Sequence, residues 1–119
     1  MSGHRVASDM ANAPLGTADP GDAGRITIDK YGQLVEMGSA TGAETRTLSA
    51  PTDPGILATL RMKEDNGDIV VTASAGLNVA GNTTAPFADV GDQIVLLSVS
   101  ATTGYRWEIV VNTGSVALA

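Results

Sequence analysis

The sequence predicts an all-β domain, a single small sandwich, jelly roll or barrel of about eight short strands, carried behind a flexible N-terminal arm. Three observations lead there. Apolar and polar residues alternate with period two in several stretches, as in a strand with one buried face. Turn signals cut the chain into short pieces, helped by 14 glycines and 5 prolines. No long stretch has the 3.6-residue periodicity of a helix.

Residues 1–24 are rich in Ala, Gly, Asp, Asn, Ser and Pro, with isolated apolar side chains at Val6, Met10 and Leu15. Such a segment cannot bury enough surface to order itself, so the domain division is an arm at 1–24 and a β-domain at 25–119. Residues 25–29 (RITID) and 33–37 (QLVEM) read as two short strands around a turn at Lys30, Tyr31 and Gly32. A third strand is expected over 44–49, followed by a connection whose Pro51 and Pro54 break any ladder. From residue 56 alternation resumes, with Ile56, Ala58, Leu60 and Met62 on one face. Asn66-Gly67 then gives the strongest short hairpin signal, because both residues tolerate positive φ. Strands at 69–73 and 83–87 (ending at Phe87) follow.

The last third carries the longest β-branched run, residues 94–99, with Ile94 and Leu96 as core candidates. After a turn at Thr102, Thr103 and Gly104, a strand over 105–111 puts Tyr105, Trp107, Ile109 and Val111 on one face. A short tail strand is expected at 115–118. Trp107 is the only tryptophan, and a ring of that size between aliphatic neighbours belongs in the core.

A chain of 119 residues makes one domain. Its core is thin: one Phe, one Trp and two Tyr leave Val, Ile, Leu and Ala to supply most of the buried area. A core of that kind gains from contacts between subunits. A net charge of −6 argues against nucleic acid, which needs a basic surface. No run is long enough to span a membrane, and the start lacks the apolar block of a secretory signal, so synthesis in a cytoplasm is expected. There is no cysteine, hence no disulfide.

Catalytic chemistry finds little to work with. His4 is the only histidine and lies in the arm, so neither a hydrolase triad nor a Cys–His pair can be assembled. A zinc site lacks ligands. Glu64, Asp65 and Asp68 cluster near a turn, but their spacing does not match a calcium-binding EF-hand loop. Asp89, Asp92 and Glu108 could pair as glycosidase acids only if something fixed their separation. The expectation is no enzyme, no cofactor and no metal.

With those residues in view, the chain from 45 to 118 resembles the small decoration (cement) proteins of tailed bacteriophage heads. The likeness lies in LSAP at 48–51, GNT at 81–83, FADVGD at 87–92, YRW at 105–107 and NTG at 112–114. The resemblance implies a β-rich fold, a homotrimer, and seating on the major capsid protein at three-fold or quasi-three-fold positions on the outside of the virion. The arm residues Arg5, Val6, Met10 and Leu15 would then hold the capsid, the segment adding a strand to an exposed sheet edge. Trp107, Phe87, Ile94, Leu96, Ile109, Asn66 and Gly67 would build the core and turns. A phage fibre- or tail-associated carbohydrate-binding module is the alternative, and it requires Trp107 or Tyr105 in water.

Overall fold

The computed structural model describes residues 15–119, which are all-β with no helix. Nine strands follow one another: β1 (Gly16–Thr17), β2 (Gly24–Ile26), β3 (Gln33–Gly38), β4 (Glu44–Leu48), β5 (Leu57–Glu64), β6 (Ile69–Ala73), β7 (Thr84–Phe87), β8 (Gln93–Ser100) and β9 (Tyr105–Thr113). They form a five-stranded sheet, ordered β1-β3-β5-β8-β9, and a four-stranded sheet, ordered β2-β4-β6-β7.

Successive strands from β1 to β6 alternate between the sheets, so each parallel crossover is itself a strand of the opposite sheet. β3 runs parallel between β1 and β5, and β4 parallel between β2 and β6. The coil repeats evenly at its second step: Val35 pairs with Leu60 and Thr45 with Val70, each 25 residues on. The chain then turns back, laying β7 antiparallel to β6, β8 antiparallel to β5, and β9 beside β8. Neither sheet closes on itself, so no barrel forms. The parallel pairs also depart from the antiparallel Greek keys of a jelly roll.

Alternation explains why these segments are strands. Along β5 the inward Ala58, Leu60 and Met62 are buried while Leu57, Thr59 and Arg61 are only half-buried. The inner faces of both sheets contribute to one core, which includes Val35, Met37, Leu48, Ile69, Val71, Phe87, Ile94, Leu96 and Trp107, with Ile109 packed at its margin. Trp107 is fully buried, and its indole N–H donates to the Ser49 carbonyl at 3.0 Å, tying the five-stranded sheet to the end of β4.

Several expectations change. No hairpin joins residues 25–29 to 33–37, because β2 and β3 lie in different sheets. Asn66-Gly67 is not a hairpin turn either, since it carries the chain from β5 across to β6 in the other sheet. Gly67 has φ +147°, but Asn66 is not among the positive-φ residues, so the paired geometry of a type I′ turn is absent. This crossing stacks on the previous one. The Ser39 hydroxyl donates to the Gly67 carbonyl at 2.7 Å and accepts from the Asn66 N–H at 2.7 Å. A Cβ on Gly67 would overlap the Gly42 carbonyl carbon and the Ala43 nitrogen.

The face expected along the last strand is also interrupted. A bulge opposite Val95 and Leu96 turns Val111 to the outer side, while Tyr105 keeps the phase of Trp107 but lies exposed at the strand's start, opposite the exposed Ser100. The tail forms no strand: Ser115 has φ +55°. Asn112 instead hooks Val116 through both amide atoms, at 2.8 and 2.9 Å, and sets its side chain into the core.

Residues 15–24 belong to the β-domain rather than to an arm. Gly16 and Thr17 pair with Leu34 and Val35, and the Leu15 carbonyl accepts from the Leu34 N–H at 3.0 Å. Arg5, Val6 and Met10 lie outside the described residues.

Gly67→Val tests the stacked crossings. It adds a branched side chain at positive φ against neighbouring backbone and should lower stability by at least about 2 kcal/mol. A denaturation midpoint unchanged from the parent would show that the two crossings do not touch.

Candidate interaction surface

The sheet registers sort the outward side chains into rows, and the two outer faces differ in chemistry. On the four-stranded sheet, Arg25, Thr47, Thr72 and Thr84 lie side by side, with Thr45, Val70 and Pro86 in the next row. That face is polar and suits water. On the five-stranded sheet, Leu34, Thr59, Val95 and Val111 form one row and Leu57, Leu97 and Glu108 the next. Val99 stands opposite Arg106. Leu34, Leu57, Val95, Leu97 and Val99 are half-buried by one another, and Val111 is 47% exposed.

Charges on this face are compensated locally. Arg61 lies 3.6 Å from Glu36, and Arg106 lies 2.8 Å from Glu108. Lys63, exposed at the end of β5, continues the outward phase.

The sheet edges, by contrast, are partly closed. The Trp107 and Ile109 N–H groups of β9 donate to the Gly76 and Leu77 carbonyls, at 3.3 and 3.1 Å. On β7, Pro86 has no N–H, and Thr84 exchanges backbone bonds with Ala119 at 3.0 and 3.1 Å. Edges treated this way resist strand addition.

The strongest electrostatic feature is buried. Arg46, on the inner face of β4, has its side chain closed to solvent. Its Nε and Nη2 reach the two Asp19 oxygens at 2.7 and 3.0 Å, and Nη2 also lies 2.9 Å from Glu44. Carbonyls of Thr45 and Gly38 accept the remaining donors, at 3.0 and 3.2 Å. Burial pushes the Asp19 carboxyl up, but Arg46 and the N–H groups of Gly38 and Gly21 outweigh it and hold the group below its ordinary value. The bond from Asp19 correspondingly raises the Arg46 guanidinium. Every donor nitrogen of Arg46 is engaged, so the cluster fastens Asp19 and is no catalytic centre.

The candidate acids are committed to local structure. The Asp65 carboxylate accepts the Gly67 N–H at 3.1 Å. Asp92 is buried and caps its own turn through the Ala88 and Asp89 N–H groups, at 3.0 and 3.1 Å. Glu108 pairs with Arg106. Among the described residues no three His, Cys, Asp or Glu converge on a point that could hold a metal ion. A shallow depression of about 200 Å³ is lined by Leu15, Gly16, Thr17, Lys30 and Gln33; its one cation, Lys30, pairs with Asp29 at 3.4 Å, and the Thr17 hydroxyl accepts from Gln33.

Sequence reading missed both the Arg46 cluster and the apolar outer face. A faint signal existed for the first, since Arg46 shares the phase of Leu48 in an alternating strand. For the second, the outward phase of residues 94–99 is Val95, Leu97 and Val99, which leaves a strand apolar on both sides. No known protein family matches the chain, and no curated protein matches it either.

The Asp19–Arg46 contact predicts an acid-sensitive fold. Asp19 is depressed in the folded state, so its stabilisation is present above its unfolded pKa of about 3.9 and is lost as pH falls through the lower folded value. Asp19→Asn should cost roughly 3 kcal/mol at neutral pH by leaving the buried guanidinium undercompensated. It should also flatten the acid limb of stability against pH. An acid limb identical to the parent's would remove Asp19 from the account.

Proposed function

We propose that this protein is a structural virion component, a decoration or cement protein that binds the major capsid protein at three-fold or quasi-three-fold positions as a homotrimer. The observation that carries the reading is the apolar outer face of the five-stranded sheet, on a domain in which Asp65, Asp92 and Glu108 are held by a turn, a cap and an ion pair. Such a domain is built to make contact, and the resemblance across residues 45–118 supplies the class of contact. The sugar-binding alternative loses Trp107, which is buried, and keeps the exposed Tyr105 as its one aromatic of the two.

Capsid attachment is assigned to the N-terminal segment, with Arg5, Val6 and Met10 as the contacting residues. Leu15 is committed to pairing beside β3, and Asp19 to Arg46, so removing residues 1–24 would damage the β-domain itself. The informative truncation removes residues 1–14. Mixed with undecorated heads, the full chain should add density at the three-fold positions, and the truncated chain should add much less. Full-chain protein that leaves the heads bare would defeat the capsid reading. Equal occupancy by the two proteins would move attachment to the β-domain.

A further inference from the structure

The outer face of the five-stranded sheet has no counterpart among the described residues. Four strands, β3, β5, β8 and β9, present Leu34, Leu57, Val95, Leu97, Val99 and Val111 outward. From strand spacing and rise this face covers roughly 500 Å². Three such faces covered in a homotrimer would remove about 1,500 Å² from water. With Thr59 and the two ion pairs interleaved, its apolar part is within the size of the largest patch of an ordinary monomer, which is often a contact site.

Charge decides what covers it. The chain carries −6, so identical copies repel over most of their surface. On this face Glu36 is paired with Arg61 and Glu108 with Arg106, and Lys63 lies at one end. Glu64 stands beside Gly38 on the same side and offsets Lys63, so the charges on this face cancel while the molecule as a whole is acidic. Copies therefore meet little repulsion here. Both ion pairs lie inside one chain and only Arg106 Nε is left without an acceptor, so the face offers a partner mainly apolar contact, which is what a second copy supplies.

We propose that the outer face of the five-stranded sheet is covered by further copies of this chain, while the threonine-rich face of the other sheet stays in water. Partly closed edges at β7 and β9 point the same way, directing association to side chains rather than to backbone pairing. The inference deepens the proposed function by assigning one face its partner. Its test uses isolated protein without heads, so its failure is distinguishable from failure of the capsid reading.

Light scattering on a sizing column, across a dilution series, reads the mass directly. The full chain should run at three times 12.0 kDa. Leu97→Lys, which places a like charge at the centre of the face in every copy, should shift it to the monomer with an unchanged β-sheet circular dichroism spectrum. Val70→Lys, the same change on the opposite outer face, should keep the parent's mass. Should Leu97→Lys lose its β spectrum, the double change Val95→Thr with Leu97→Thr keeps strand propensity and should raise the dissociation midpoint at least tenfold. A monomeric parent at all concentrations overturns the proposal. So does a parental midpoint in the face variants, or dissociation by Val70→Lys equal to that by Leu97→Lys.

Discussion

Arg46 lies between the two sheets with its side chain closed to water, and a guanidinium does not shed its charge within the pH range of a folded protein. The surrounding chain is arranged to supply oxygen on several sides: Asp19 from the link between β1 and β2, Glu44 and Thr45 from β4, and Gly38 from the end of β3. Strands of two and three residues, such as β1 and β2, are too short to hold their places by ladder bonds alone. They stay because detaching Asp19 would leave the buried guanidinium with Glu44 as its one counter-charge, a larger penalty than the few backbone bonds at stake. Gln33 adds a second tie. Its amide donates to the Thr17 hydroxyl at 2.8 Å and accepts from the Asp29 and Lys30 N–H groups.

What was legible in the sequence was local. The phase of residues 56–62 identified the buried face of β5, and the strand over 94–99 with its turn at Thr102 to Gly104 is the β8–β9 hairpin, closed by an Ala101 N–H to Gly104 carbonyl bond of 3.0 Å. Sheet membership was not legible. A turn sequence such as Asn66-Gly67 reports that the chain changes direction, not whether it returns to its own sheet or crosses to the other. That choice is made here by Ser39, 27 residues away, whose hydroxyl and carbonyl both bind the turn. Residues 15–24 were read as an arm for a related reason. Their composition is poor in apolar groups, and their order comes from one carboxylate meeting one buried arginine 27 positions later.

The apolar outer face follows from how the chain is wound. Alternating the strands between sheets places β5 and β8, the longest well-covered strands, at the middle of one sheet, where both sides of each strand are shaded. A strand shaded on both sides tolerates Leu57, Val95, Leu97 and Val99 pointing away from the core. The threonine rows of the other sheet show that this chain can dress an outer face for water. The difference between the faces is what the proposed association rests on.

The central claim is that in the protein's working state one outer face is covered and the other is wet. Methyl relaxation in the presence of a soluble paramagnetic agent measures this directly, side chain by side chain. The account predicts that the methyl groups of Leu57, Val95 and Leu97 are shielded in the assembled protein, while those of Val70, Thr47 and Thr72 relax strongly. Equal relaxation on the two faces, at concentrations where the mass is that of the assembly, would contradict it.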